Sequence, residues 1–434
     1  MISIVPNSEW TSLEIQAEQK QDKSDRMEAA AKAVKERKDQ KDKKVSVEVS
    51  QWINMYGVEA LADLIQGMML ANYEQIRFPR REREELQIEL TGVEESLRDR
   101  AEMAVKEAEI LTQSIMFARD LVNLPANYLR PADFVREVSQ KMEGTGVEVE
   151  YLDREALIEQ GLNTLLAVGD ASAFPPYLLI LRYHNAPENS EVLGMAGKGV
   201  TFDTGGYCLK SDDSMTGMND DMAGGAAVAG AIWALARNHV KTNVVGVIPL
   251  CENRISPGGL LIGDVITSYS GKTIEVNHTD AEGRLILADA VSYAVKHEKV
   301  TKIVDIATLT GDVVRTLGFG MAGVVASDDE MWSELMDAAE QSGERFWRFP
   351  VGREYEKKLE SDIADIRNSS RGKCVLIAGG LFIRFFTENK PWLHLDIAGT
   401  AWVDTPLFEY QSKRATGFGV TTLYELAKGM KREK

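Results

Sequence analysis

The sequence predicts an α/β protein: a larger domain with a doubly wound, mainly parallel or mixed sheet follows a smaller, shortened α/β domain. Beyond residue 123, short apolar strand-like segments alternate with helical segments. A long helical pattern comes before them, and only two strand-like segments are evident ahead of that helix. These observations predict a shortened amino-terminal domain at 1–92, a connector helix at 93–122 and the larger domain at 123–434.

The amino-terminal part reads as a small α/β unit. KVSVEVS at 43–49 and LQIELTG at 86–92 alternate as strands do, and VEALADLIQGMMLANY at 58–73 has helical spacing. Residues 21–44 form a charged run, which we interpret as a solvated helix or a mobile arm. A two-stranded sheet is marginal alone, so this unit is predicted to be incomplete.

The connector is predicted from a single apolar stripe at helical spacing. An ordinary amphipathic core helix would give the same pattern, and both interpretations can hold together. The stripe consists of Leu97, Ala101, Ala104, Ala108, Leu111, Ile115 and Ala118.

In the larger domain, segments with the pattern of strands alternate with segments that have the spacing of helices. Strands are predicted in VEVEYL, YLLILRY, VLGMAGK, NVVGVIPL, KIVDIATL and WLHLDIA, and helices in REALIEQ, GGAAVAGAIWALA and RLILADAVSYAVKH. Such sheets bind ligands at the carboxyl ends of their strands. The functional residues are therefore expected just after the strands.

Composition excludes several function classes. Of the 434 residues, 44% are hydrophobic, and 67 acidic against 50 basic residues give a net charge of −17, which opposes binding to nucleic acid or anionic lipid. Three widely spaced cysteines indicate neither a disulfide framework nor a CxxC zinc site. No secretory leader or membrane-spanning run is evident, so a cytoplasmic protein is expected.

A glycine-rich segment at 197–221 concentrates charge. It contains Lys198, Asp203, Lys210 and Asp221. Glycines let backbone, amines and carboxylates approach closely. Divalent cations would explain the crowding, because they bind carboxylate oxygen and can hold a lysine as a neutral amine.

A second charged cluster lies in NHTDAEGRLILADA at 277–290. Asp280, Glu282 and Arg284 alternate, and in an extended segment alternate side chains point the same way. This geometry suits two carboxylates on metal with a guanidinium beside them. The alternative is turn and helix-capping chemistry before an apolar helix.

Together the two clusters resemble the leucine aminopeptidase family of dinuclear zinc exopeptidases, from about Thr112 to about Lys428. GKGVTFDTGG, Asp221 with Met222, and TDAEGRL stand in the family's order, and TDAEGRL is highly specific. The further matches are NLPAN, ENRISPG, DIATLTG, WRFPV and HLDIAG.

The resemblance implies two divalent ions per subunit. Lys198 and Asp221 would bind only the tighter ion, and Asp280 the more exchangeable one. Asp203 and Glu282 would bridge the two ions. Zinc is the family's usual metal, with manganese or magnesium possible at the exchangeable position.

The resemblance also implies an aminopeptidase that removes the amino-terminal residue of peptides with a metal-activated water. Lys210 would polarise the scissile carbonyl, and Arg284 would hold a bicarbonate ion. Plain salt bridges are the alternative for both. The first specificity pocket, which would favour a leucine-like residue, corresponds to Met218, Thr308, Leu309 and Gly311.

The chain departs from the family pattern at GDAS (169–172), which lacks the usual glycine-serine ending, and at three single residues. His278 stands where asparagine is usual, Asn219 replaces a basic residue, and Asp312 replaces a small one. Asp312 near the pocket would favour basic side chains, or it is simply an exposed loop acid. His394, in an alternating apolar strand, is expected to be a satisfied core histidine.

The resemblance implies a homohexamer, a dimer of trimers, acting on peptides in the cytoplasm. Whether the shortened amino-terminal region permits that hexamer stays open. The main alternative is a catalytically weakened relative that serves as an oligomeric scaffold or regulator. A nucleic-acid-binding role and a two-metal phosphatase are remoter alternatives, opposed by the net charge and by TDAEGRL respectively.

Overall fold

The computed structural model describes residues 2–16, 18, 22–37, 43–79 and 83–430. They form four sheets with helices between them. The strands are β1 (Ile2–Ile4), β2 (Thr11–Leu13), β3 (Lys44–Glu48), β4 (Gln87–Thr91), β5 (Glu148–Leu152), β6 (Tyr177–His184), β7 (Leu193–Gly197), β8 (Gly199–Asp203), β9 (Asn243–Asn253), β10 (Val265–Thr267), β11 (Thr273–Glu275), β12 (Lys302–Ala307), β13 (Ala322–Ala326), β14 (Phe346–Arg348), β15 (Ile366–Arg367), β16 (Trp392–Asp396), β17 (Trp402–Val403) and β18 (Arg414–Ala415).

The helices alternate with these strands, and four short 3-10 turns supplement them. The α-helices are α1 (Lys23–Glu36), α2 (Ser50–Tyr56), α3 (Leu61–Ala71), α4 (Arg98–Asn123), α5 (Pro131–Met142), α6 (Arg154–Gln160), α7 (Asn163–Gly169), α8 (Asp212–Met215), α9 (Ala223–Arg237), α10 (Glu282–Lys296), α11 (Gly311–Leu317), α12 (Asp329–Ser342), α13 (Arg353–Glu356), α14 (Val375–Arg384) and α15 (Val420–Lys428). The 3-10 turns are Val58–Ala60, Glu95–Leu97, Met218–Asp220 and Lys357–Leu359.

The large sheet confirms the predicted fold class. Its order is β14-β13-β16-β12-β7-β9-β6-β5, and β8 pairs with the far end of β9. The central strands β16, β12, β7 and β9 run parallel, whereas β13 and β6 lie antiparallel to their central neighbours. The sheet is therefore mixed, with a parallel centre.

Helices cover both faces of this sheet because its strands are apolar on both sides. On β9, Val244 and Ile248 belong to the hydrophobic cluster under α4, α9 and α15, while Val245 and Val247 belong to the cluster under α7, α10 and α14. Every residue of β9 is buried. Burial on both faces explains why the sequences of these strands are continuous apolar runs.

The amino-terminal sheet has four parallel strands in the order β1-β4-β3-β2. The expectation of only two strands was wrong, because β1 and β2 have three residues each and give too short a pattern to recognise. The charged run was also misread in part. Helix α1 buries Met27, Ala30 and Val34, so it belongs to the core, while residues 38–42 lie outside the described part.

The predicted connector corresponds to helix α4, which contributes residues to two hydrophobic clusters. Its early residues Ala101, Val105 and Ala108 belong to the amino-terminal hydrophobic cluster. Leu111 and Ile115, further along, belong to a cluster of the larger domain. None of the helices in the described part of the chain combines the length and apolarity that a membrane span requires.

Candidate metal centre and active site

The charged residues singled out in the sequence meet at the carboxyl ends of the parallel strands. Asp203 ends β8, Asn253 ends β9, and Thr308 directly follows β12. Because β7 and β8 both pair in parallel with β9, and β12 pairs in parallel with β7, these three ends lie on one edge of the sheet. This is the position that the sheet topology predicts for a ligand site.

Lys198 lies at the break between β7 and β8. Its backbone N–H bonds the carbonyl of Ile306 at 3.0 Å. A Cβ added at Gly283 would lie 2.4 Å from Lys198 Cε, so any larger residue there would have to displace the lysine side chain. The Lys198 amine reaches Asp221 at 2.7 Å, Glu282 at 2.9 Å and the carbonyl of Thr308 at 2.9 Å.

Three buried carboxylates converge around this amine. One oxygen from each of Asp203, Asp221 and Glu282 lies within 4.8 Å of the others. Among the described residues, Oδ2 of Asp221 and Oε2 of Glu282 are buried without a hydrogen-bond partner. Buried carboxylate oxygens seldom stay unpaired, so these two atoms fit a site for a cation.

The pKa values reflect the crowding of like charges. Burial, and then the charge of Glu282, raises the pKa of Asp203, and burial raises that of Asp221 well above its usual range. Burial opposes the positive charge of Lys198, but Asp221 and Glu282 outweigh it and raise the pKa of the amine. Divalent cations would offset this negative charge and favour ionised carboxylates.

Lys210 joins Asp203 to Asp280. Its ammonium lies 2.8 Å from Asp203 Oδ2 and 2.5 Å from Asp280 Oδ1. Burial, and then the nearby charges of Glu282 and Asp203, raises the pKa of Asp280 to about 7. The Lys210 side chain is 15% exposed against 4% for Lys198, so only Lys210 offers its amine to the outside.

The expectation that Asp280, Glu282 and Arg284 alternate along an extended segment was wrong. Asp280 lies in a turn, and Glu282 is the first residue of α10. Glu282 and Arg284 therefore occupy one helical turn and diverge: Glu282 meets Lys198, whereas Arg284 donates to the carbonyl of Asn368 at 3.0 Å. The turn interpretation was the better one, although no side chain caps this helix.

Arg284 is buried beside the cluster. Burial lowers the pKa of its guanidinium to about 10, so the group stays charged near neutral pH. Its Nε has no hydrogen-bond partner in the part of the chain that the structure describes. A buried cation with a free donor is suited to a small anion.

A protein-family model now decides the class. Residues 116–424 match the model described as the cytosol aminopeptidase family, catalytic domain. The chain belongs to this family. Membership makes it an aminopeptidase, and it confirms the resemblance predicted from the sequence motifs.

Curated relatives and solved structures agree with this assignment. The chain is 40% identical to a probable cytosol aminopeptidase of Clostridium perfringens over 381 residues, 86% of this chain and 77% of the relative. It is 40% identical to a Treponema denticola relative of the same name over 88% of this chain and 80% of the relative. The bottromycin maturation enzyme BotP in complex with Mn superposes with a TM-score of 0.87 at 31% identity, covering 96% of this chain and 89% of BotP.

Of the residues predicted to line the specificity pocket, Thr308 contacts the carboxylate cluster directly. Thr308 donates to Asp221 Oδ1 at 2.8 Å, which ties the pocket loop to the cluster. The buried Asp396, at the end of β16, accepts from the N–H of Leu309 at 3.2 Å. Gly311 begins α11, and Met218 begins the 3-10 turn that leads to Asp221.

Two of the departures from the family pattern have structural roles. Asn219 donates to the carbonyls of Val122 and Leu124 at 2.9 and 3.2 Å, which secures the end of α4. Asp312 accepts from the N–H of Val375, the first residue of α14, at 3.1 Å. Asp312 is therefore neither a simple loop acid nor a free charge at the pocket.

The two informative histidines differ in surroundings. His278 Nδ1 accepts from the N–H of Asp280 at 3.2 Å, and burial together with Arg284 lowers the pKa of its imidazole. His394 is fully buried, with Nδ1 2.6 Å from Asp305 Oδ1. Its Nε2 has no hydrogen-bond partner among the described residues, so this core histidine is only half satisfied.

Sequence reasoning missed three buried polar residues at this site: Asn253, Asn368 and Asp396. Asn253 donates to Asp203 Oδ1 at 2.8 Å, and Asn368 contacts the turn before α10. The signal for Asn253 and Asp396 was their position directly at strand ends. Asn368 gave no such signal, because it reaches the site from 84 residues beyond Arg284.

Proposed function

We propose that this chain is a two-metal aminopeptidase that removes leucine-like residues from the amino end of peptides. The observation that carries the proposal is the group of three buried carboxylates in a chain of the cytosol aminopeptidase family, two of which have an oxygen without a hydrogen-bond partner among the described residues. Zinc is the proposed metal, with manganese or magnesium as substitutes. BotP, which is similar in structure, is described as a complex with Mn.

The proposed ligands divide between the two ions. Asp203 and Glu282 would bridge them, with Lys198 and Asp221 on the tighter ion and Asp280 on the exchangeable one. Lys198 must lose its proton to serve as a ligand. Two divalent ions, when bound, supply Lewis acidity and a water that is acidic enough to attack a peptide carbonyl.

Lys210 and Arg284 would act on the substrate side of this centre. Lys210 is the partly exposed amine, and its fixed charge would stabilise the oxyanion of the tetrahedral intermediate. Arg284 would orient a bicarbonate ion through its Nε, which has no hydrogen-bond partner within the described ranges. A bicarbonate ion, when bound there, supplies a proton acceptor.

The pocket supports a preference for leucine or methionine. Met218, Leu309 and Gly311 offer no charge to the side chain of the first substrate residue. Asp312, the one candidate for selecting basic residues, is engaged by the N–H of Val375 and lies 3.4 Å from Arg315. We therefore propose apolar rather than basic specificity.

We further propose a cytoplasmic homohexamer that turns over peptides. The cytoplasmic location is supported by the relatives, which are named probable cytosol aminopeptidases. The rival proposal, a catalytically weakened scaffold, is motivated by His278, Asn219 and Asp312 and by the amino-terminal region that the sequence predicts to be shortened. The bonds that Asn219 and Asp312 make to helix termini give both residues another reason to be there, which weakens that rival.

Hydrolysis of amino-acid p-nitroanilides tests the proposal. Purified protein is chelated, reloaded with zinc or manganese, and assayed on leucine, methionine and lysine substrates with N-acetyl-leucine p-nitroanilide as control. We expect metal-restored cleavage of the leucine and methionine substrates, and none of the acetylated one. A folded protein that binds two ions without turning over any substrate would favour the scaffold instead.

A further inference from the structure

Three of the proposed functional residues share one short segment of chain, residues 277–284, which we call the ligand loop. Asp280, Glu282 and Arg284 all project from it. The loop follows β11 and ends in the first turn of α10. Something must hold its backbone, because the part before α10 belongs to no strand or helix.

Asn368 holds the loop from one side. Its Oδ1 accepts from the N–H groups of Asn277 at 2.9 Å and His278 at 3.3 Å. Its Nδ2 donates to the carbonyls of His278 at 2.7 Å and Ala281 at 3.3 Å. The Asn368 carbonyl accepts from Arg284, so one fully buried residue fixes both the loop and the guanidinium.

Asn253 holds the loop from the other side. Its Nδ2 donates to the carbonyl of Thr279 at 3.1 Å and to Asp203 Oδ1 at 2.8 Å. Asp203 Oδ1 also accepts from Gly205 at 2.7 Å, which leaves Oδ2 to face Lys210. Asn253 thus selects the Asp203 oxygen that faces the site and ties that carboxylate to the ligand loop.

We propose that Asn253 and Asn368 are positioning residues, which fix the backbone of the ligand loop and the orientation of the carboxylates relative to each other. Neither side chain is a proposed ligand, and each contacts a residue that is one or lies next to one. Outer partners of metal ligands set affinity by fixing ligand orientation. The inference rests on the proposed metal-dependent function.

Alanine variants of the two asparagines test this role against a matched control. Asn243 lies at the opposite end of β9 from Asn253, is equally buried, and its Nδ2 donates to the carbonyls of Ala186 and Asn189 at 2.8 and 2.9 Å. N243A therefore also removes buried side-chain bonds to backbone. Full-length N253A, N368A and N243A are compared with the wild type by Mn²⁺ calorimetry, leucine p-nitroanilide kinetics and thermal denaturation.

We expect N253A and N368A to bind Mn²⁺ about 10- to 100-fold more weakly, as measured for outer partners of metal ligands. At saturating Mn²⁺ their kcat should fall more than their KM rises, because the reacting groups are displaced while the specificity pocket stays. N243A should lower the melting temperature by a similar amount and leave Mn²⁺ affinity, kcat and KM at wild-type values.

Wild-type Mn²⁺ affinity and kcat in both N253A and N368A would overturn the inference, while failure of the wild type to bind Mn²⁺ or cleave substrate would instead overturn the proposed function. If an alanine variant does not fold by far-ultraviolet circular dichroism, the serine variant of that site replaces it. Serine variants that also fail while N243A folds would assign both asparagines to the fold alone.

Discussion

Replacing Glu282 with glutamine removes one charge from the carboxylate group at nearly constant volume. The Glu282 side chain is 3% exposed and lies 2.9 Å from the Lys198 amine. An amide oxygen can still accept from that amine, so the metal-free fold should survive. The variant should instead lose affinity for the cation and catalytic rate, because both depend on the negative charge of Glu282.

The spacing of the group sets the size of the effect. At 4.8 Å, the outer limit between the three ligand oxygens, one pair of unit charges interacts by about 3.5 kcal/mol at an effective dielectric constant of about 20. At 1.36 kcal/mol per tenfold, this corresponds to a loss of about 300-fold in affinity. This energy is the carboxylate repulsion that E282Q would relieve in the metal-free form, and the lost attraction between Glu282 and the cation would weaken binding further.

Mn²⁺ calorimetry and leucine p-nitroanilide kinetics measure this loss in E282Q. E252Q is the matched control, because the Glu252 side chain is 2% exposed and contacts Arg254 and Ser172 rather than the cluster. E252Q should lose stability alone. An E282Q enzyme with wild-type Mn²⁺ affinity and wild-type kcat/KM would refute the assignment of Glu282 to the metal centre.

Three further predictions follow from single contacts. D312N should leave the melting temperature nearly unchanged and keep the leucine-to-lysine ratio of kcat/KM within about threefold, because an amide oxygen can still accept from the N–H of Val375; a selective loss of lysine turnover would place the charge of Asp312 at the pocket. Burial raises the pKa of Glu344 from 4.5 to about 7, so the folded state holds a proton that the unfolded state releases, and unfolding free energy should fall by about 3 kcal/mol as pH rises from about 4.5 to 7. Urea titrations should find this component absent in E344Q, and an unchanged pH slope would contradict it. G283A should displace the Lys198 side chain and weaken Mn²⁺ binding roughly tenfold without unfolding α10, since alanine favours helix; unchanged affinity in calorimetry would show that the amine has room.

Periodicity was sufficient for six strands of the large sheet, but it did not predict the other three, which are β8, β13 and β14. β9 is apolar along most of its length, and α9 is buried from Ala223 to Ala236. The same signal failed for β1 and β2, where three residues cannot show an alternation. Their pairing with β4 and β3 comes from tertiary contacts, which a local pattern does not carry.

The site was predictable in composition but not in geometry. The motifs identified Asp203, Asp221 and Glu282, which the structure brings within 4.8 Å. They did not indicate that α10 begins at Glu282, because the choice between extended chain and helix there depends on how the loop is held. Asn368 holds the loop by donating to the carbonyl of His278. No sequence pattern near Asn368 indicates this contact.

The parallel pairing of β11 with β15 has a consequence for synthesis. Ile274 pairs with Ile366 and Glu275 with Arg367, so the residue that follows, Asn368, arrives at the ligand loop from some ninety positions later. A nascent chain that ends before Asn368 contains every proposed metal ligand but lacks the contacts that Asn368 makes with the ligand loop. We therefore expect ribosome-bound intermediates to be inert as peptidases, and activity to begin only when the last third of the domain has folded.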